Sequence, residues 1–135
     1  MKQILFIVML IAGISLKGWA QTAEDSVKTV INNMFTAMKT IDRELLRSCF
    51  TDSAILQTIG RSKEGKLVVQ NEPLEEFLEF IIKEKKGSLD ERITFDVVKT
   101  DGPLAIAWTP YSFYYQEKFS HCGVNSFQLV RTDAG

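Results

Sequence analysis

The apolar residues of this chain change their spacing once, near Leu89. Before that point they recur at i, i+3, i+4 and i+7, the period of a helix buried on one side. After it they alternate, the period of a half-buried strand. Helices first, long strands last and one short hairpin between them is an α+β order, not a repeating strand–helix one.

The helical part reads in three pieces. Thr22 to Lys39 carries one stripe of Val27, Val30, Ile31, Met34, Phe35 and Met38. Thr22 followed by Asp25 suits a helix start, with Glu24 and Asp25 where the helix dipole favours acids. Ile41 to Phe50 is a second, short helix with Asp42 as N-cap and Leu45, Leu46, Cys49 and Phe50 inside. Ala54 to Ile59 and Leu67 to Val69 read as a strand pair across the polar loop Gly60 to Gly65. Asn71-Glu72-Pro73 opens the third helix, with Pro73 expected at its first turn and Leu74, Phe77, Leu78, Ile81 and Ile82 as its stripe. Lys83, Lys85 and Lys86 close it and Gly87 stops it. Glu75, Glu76 and Glu79 fall on its outer, solvated face.

In the strand part, Glu91 to Thr100 alternates, and Asp101-Gly102-Pro103 is a turn. Leu104 to Tyr115 and Phe119 to Arg131 are two long strands joined at Gln116-Glu117-Lys118. Pro110 cannot donate to a ladder, so a bulge or an edge is expected there. Thr132-Asp133-Ala134-Gly135 reads as another turn, the middle of a hairpin whose last strand is absent; a truncated chain and a natural frayed end both fit.

Residues 1–20 stand apart. Lys2, then the apolar run Ile4 to Leu16, then Gly18-Trp19-Ala20 have the layout of a cleavable signal peptide cut after Ala20. The run is about 13 residues, short of the roughly 20 that span a bilayer. The expectation is a periplasmic or secreted protein with one domain over residues 21–135 and no membrane contact after cleavage. Cleavage leaves fourteen basic and seventeen acidic residues, a net charge of −3. No basic field remains to hold nucleic acid. In an oxidising compartment Cys49 and Cys122 could pair across a long loop, worth about 4 kcal/mol, or stand as two inert thiols.

The chemistry-bearing groups gather in the last two strands. Alternation puts Trp108, Ser112 and Tyr114 on one face, and Thr109, Tyr111, Phe113 and Tyr115 on the other. Rings on both faces call for cover on both: helices or a ligand on one, a second subunit on the other. His121, the single histidine, is the candidate general acid or base, with Asp52 or a tyrosine as partner. Trp108, Tyr111, Asn125 and Gln128, with Phe35 and Met38 from the first helix, are the candidate ligand-binding residues. No His/Cys/carboxylate cluster of metal-site spacing and no phosphate- or dinucleotide-binding motif is present, so no metal or cofactor is expected.

The stretches VKTVINNMFTAMKTID, RELLRSCFTDSAILQ, PLEEFLEFI and AIAWTPYSFYYQEKFSHCGVNSFQLVRTDAG, in that order, resemble the nuclear transport factor 2-like superfamily over nearly all of residues 22–135. That superfamily includes SnoaL-like polyketide cyclases, ketosteroid isomerase and lumazine-binding-like proteins, and the last stretch is similar to its exported bacterial branch. The resemblance implies a cone-shaped, curved antiparallel sheet wrapped around three helices, here without its last strand. It also implies a cavity between sheet and helices and a homodimer through the outer sheet face. The base of the isomerase-like members falls by element order near Gln57, a further candidate ligand contact, and their second acid near Phe127; neither residue is an acid. Three readings stay open. One is an exported domain binding a small apolar or aromatic molecule. Another is a cofactor-free isomerase, cyclase or hydrolase using His121. The third is a protein-interaction module.

Overall fold

Thr22 caps the first helix from both sides. Its Oγ1 accepts from the Asp25 N–H at 3.0 Å, and Asp25 Oδ2 accepts from the Thr22 N–H at 3.3 Å, a reciprocal capping box. The structure, a computed structural model, describes residues 22–133, so the expected signal peptide and the residues after Asp133 lie outside the described residues. Helix α1 runs Ala23–Thr40. It ends on Ile41, held in the left-handed region at φ 58°, an uncommon place for a β-branched residue. The chain then reverses into α2, Arg43–Ser48, capped by Asp42 Oδ1 accepting from the Leu45 N–H at 2.9 Å.

Strands β1 (Leu56–Arg61) and β2 (Leu67–Glu72) form the expected hairpin, running two residues further into the loop than the apolar residues suggest. Helix α3 spans Leu74–Ile82. Two details depart from the expectation. Pro73 is the N-cap residue, one position before the first turn, and its carbonyl accepts from the Phe77 N–H. The helix also stops at Ile82, with residues 83–87 making turns, because Lys83 already bonds back to Phe80.

The expected strand Glu91 to Thr100 is two strands, β3 (Leu89–Ile93) and β4 (Val97–Asp101), with a break at 94–96. Both pair antiparallel with the same edge of β5, Leu104–Tyr115. Ile93 lies opposite Tyr111 and Val97 opposite Trp108, so three residues of one strand face two of the other. That is a bulge opposite Pro110. The Pro110 carbonyl accepts from the Thr94 N–H at 3.0 Å. Since a strand residue's N–H and C=O point the same way, the missing Pro110 donor faces the bulge, where the ladder is already interrupted. The bulge also flips the parity of the partner strand. Ile93 points inward, but Val98 rather than Val97 does so after it.

Strand β6, Lys118–Val130, lies on the other edge of β5, across a two-residue turn with Gln116 and Glu117 both at positive φ. The result is a curved antiparallel sheet, not closed into a barrel, packed against the helices. The core between them holds Ile31 of α1, Leu46 of α2, Leu78 and Ile81 of α3, and Leu89, Ala105 and Ala107 of the sheet. Each fully buried leucine or isoleucine contributes about 1.5–3 kcal/mol. No helix among the described residues is long and apolar enough to cross a membrane.

Candidate functional site

Strand β5 decides where a site can be. Ala105, Ala107 and Thr109 are buried on its inner face, while Leu104, Ile106 and Trp108 are exposed on its outer one. Small inner side chains leave room between sheet and α1. The register carries the same parity to β6, where Asn125, Phe127 and Leu129 point inward.

That room opens as a cleft of about 830 Å³. Val27, Val30, Ile31 and Met34 of α1 floor it, with Phe50 after α2 and Ala105, Phe127 and Leu129 of the sheet around them. Every residue from Ser126 to Thr132 lines it. Consecutive strand residues point to opposite faces, so a cleft they all line looks onto the strand's backbone edge. Hydrogen bonds locate that edge. Trp108 and Pro110 carbonyls face the β3/β4 side, and the Arg131 N–H bonds Pro103. The odd-numbered residues of β6 therefore face β5, and the even-numbered ones, Cys122 to Val130, turn their N–H and C=O to the opposite edge, which no strand among the described residues pairs.

A polar niche lies further along the inner face. Asn125 Nδ2 donates to Glu91 Oε1 at 2.6 Å, reaching from β6 over β5 to β3. Tyr111 and His121 meet edge to face at 5.8 Å between ring centroids, and Phe113 flanks His121 at 5.1 Å. Gly123, opposite Tyr111, floors this group. A Cβ there would come within 2.8 Å of the Tyr111 hydroxyl, so the ring leans over the glycine. Burial pushes the Glu91 carboxyl above its ordinary range, against the pull of the Asn125 hydrogen bond and the His121 charge. Burial, and then the Glu91 charge, raise the Tyr111 phenol. Glu91 also borders a pocket of about 240 Å³ with Asn32, Phe35, Thr36, Lys39, Asp90 and Ile93. Burial there works against ionised Asp90, but hydrogen bonds from Lys39 and Arg92 hold its carboxyl below the usual range.

The expected site residues therefore separate. Tyr111, His121 and Asn125 come together in the niche. Phe35 is buried beside it, edge to face with Phe127 at 6.2 Å, and stands between niche and cleft. Met38 is a core residue of α1 bordering neither space. Gln57 is exposed on β1, with Nε2 donating to Asn71 Oδ1 at 2.9 Å. Trp108 is 46% exposed on the outer face, and Gln128 shares that face while its backbone borders the cleft. Asp52 pairs with Arg47 at the cleft, not with His121. Cys49 and Cys122 are both free: Cys49 packs on the core, and Cys122 is exposed on the outer face. No three His, Cys, Asp or Glu side chains among the described residues gather as a metal site would need.

Two residues of the niche carry chemistry that the motif reading passed over. Glu91 shares the parity of Ile93, which marks an acid on an apolar face. Thr109 is 0% exposed, and its Oγ1 has no hydrogen-bond partner.

No family model and no curated protein matches the chain. Two solved structures do. A conserved protein from Planctomyces limnophilus DSM 3776 is similar at 20% identity and a TM-score of 0.59, over 81% of this chain and 84% of that one. An NTF2-like protein of unknown function from Shewanella baltica OS155 aligns at 14% identity and a TM-score of 0.49, over 76% and 90%. The second likeness is too low to carry weight. The first likeness shows that the two chains share a fold, and the element order makes it α+β, helices first and a curved antiparallel sheet after them.

Proposed function

We propose that the chain is an exported domain that binds a small apolar or aromatic molecule in the cleft between α1 and the inner sheet face. The cleft carries the reading. Its volume of about 830 Å³ lies in the range of ligand sites, which are mostly apolar with a few placed polar groups. Here the apolar lining is α1 and the inner sheet face, and the polar groups are the backbone edge of β6. Native mass spectrometry of gently purified protein is expected to find an added small mass. Ala105→Phe, which fills the cleft from the sheet side, is expected to remove it while circular dichroism stays native. A bare wild-type protein that also fails to bind any of a panel of apolar probes ends this reading. Export adds a separate expectation: the mature N-terminus is Gln21.

The exposed outer face, with Leu104, Ile106, Trp108, Val124 and Val130, is proposed as the surface of a homodimer. Light scattering is expected to show a dimer that Trp108→Glu converts to a monomer. A second reading is favoured by the niche, where a half-buried carboxyl, a phenol and an imidazole converge. It is cofactor-free proton transfer with Glu91 and His121 as acid and base. Turnover of any substrate found that is unchanged in both Glu91→Gln and His121→Ala removes it.

A further inference from the structure

Asp90 and Glu91 are neighbours in β3, and alternation turns their side chains to opposite faces of the sheet. Each meets an aromatic residue of β5: Asp90 lies opposite Tyr114 and Glu91 opposite Phe113. On the Asp90 side the chain provides its own cations. Arg92 Nε donates to Asp90 Oδ2 at 3.0 Å while its guanidinium lies 4.0 Å from the Tyr114 ring centroid, and Lys39 Nζ pairs with Asp90 Oδ1 at 3.0 Å. Carboxylate, aromatic face and cation complete one another there.

On the Glu91 side the same arrangement lacks its cation. Phe113, Tyr111 and His121 stand around the carboxyl. The Tyr111 ring is nearly perpendicular to His121, at 88°, and Phe113 is tilted from His121 by 47°. Rings turned in different directions form walls rather than a stack. Asn125 bonds one carboxylate oxygen, and no lysine or arginine among the described residues pairs with Glu91. Burial raises the Glu91 carboxyl, as it does where no cation offsets the lost hydration. The group can be reached: His121 is exposed, Tyr111, Phe113, Glu91 and Asn125 are half-buried, and Glu91 also borders the pocket of about 240 Å³ beside α1. Glu91, Tyr111 and Phe113 lie on β3 and β5, and β5 is paired along both of its edges.

We infer that the niche binds a small organic ammonium ion, its positive group held against Tyr111, Phe113 and His121 and facing the Glu91 carboxylate. The inference is independent of what the cleft holds and of whether the niche transfers protons. Charge and rings together select this class. An anion would meet the Glu91 charge, and an inorganic divalent cation needs more oxygen ligands than one carboxylate and one amide. An alkylammonium ion spreads its charge over methyl or methylene groups, which aromatic faces take up directly.

The test titrates choline and ethanolammonium into the full mature protein by calorimetry, with 3,3-dimethylbutan-1-ol as the uncharged twin of choline. At least one ammonium ion is expected to bind at millimolar concentration, and the alcohol about tenfold more weakly than choline or not at all. Glu91→Gln keeps the shape and an acceptor for Asn125, and is expected to weaken ammonium binding about tenfold without changing that of the alcohol. Phe113→Leu removes one ring and is expected to weaken it about threefold. Glu76→Gln, which removes an exposed acid of α3, is expected to change nothing. Circular dichroism checks that each variant keeps the native fold. Binding of neither ammonium ion overturns the inference. So does an alcohol that binds as well as choline, or ammonium binding that Glu91→Gln and Phe113→Leu leave intact. Equal weakening by Glu91→Gln and Glu76→Gln overturns it too, since that assigns the attraction to net charge. Each of these outcomes leaves the cleft reading standing, because none of the substituted residues lines the cleft.

Discussion

The two faces of β5 and β6 are made by the same strands and behave differently. Inside, β5 presents Ala105, Ala107 and Thr109, all buried, and the space they leave is filled by α1 or open as the cleft. Outside, the intervening Leu104, Ile106 and Trp108 are larger and more apolar, yet exposed. Hydrophobicity alone would assign the faces the other way round. Burial here follows which face the helices cover, and side-chain size follows how close they come. The large apolar side chains outside are then the surface with apolar area still to bury, and the small residues inside are the ones that leave room for the cleft.

The sharpest way to break this contrast is to cut the same side chain from each face. Leu89→Ala, at an inward position 3% exposed, is expected to cost about 2–5 kcal/mol in urea unfolding. Leu104→Ala, outward and 48% exposed, is expected to cost under about 1 kcal/mol. Equal losses would mean that the outer face is covered under the conditions of the measurement.

Gly123→Ala probes the niche. The new methyl meets the Tyr111 ring at 2.8–3.0 Å, so the ring must move, at about 1–3 kcal/mol. The loss should shrink in a Tyr111→Ala background. A loss that survives there puts the cost in the backbone.

Thr109→Val keeps the shape and removes a buried hydroxyl that has no partner. It is expected to be neutral or stabilising by about 1 kcal/mol. A clear destabilisation would show that the hydroxyl has a bonding partner in solution.

The smallest effect is one of pH. The folded Glu91 carboxyl titrates above its unfolded value, so between the two the folded state holds the extra proton. Stability from this group is complete below the unfolded value and is lost as pH rises through the folded one. The difference in stability between Glu91→Gln and wild type should therefore move in favour of the variant as pH rises through that window. A flat difference, by urea titration at several pH values, would mean that Glu91 is as solvated as in the unfolded chain.

Much of the architecture was legible because it is local. The Thr22–Asp25 box, the Asp42 cap, the helical stripes and the exact span of β5 follow from neighbours a few residues apart. The break between β3 and β4 was signalled from across the sheet, by Pro110, and no alternation within residues 91–100 records it. The candidate site was half legible. Tyr111, His121 and Asn125 were named, and they meet. Glu91 was readable as an acid sharing the parity of Ile93, but that parity became informative only once the inner face was known.

By itself, the sequence determined the order of helices and strands, the two parities of the long strands and the residues able to do chemistry. These depend on spacing along the chain, which hydrogen-bond geometry converts directly into helix or strand. The tertiary structure decided which parity faces the helices, that Trp108 and Gln57 lie away from the niche while Glu91 crosses into it, and that one edge of β6 opens onto the cleft. Those outcomes depend on how elements far apart in the chain pack. Period 2 says that two faces differ but not which of them is covered.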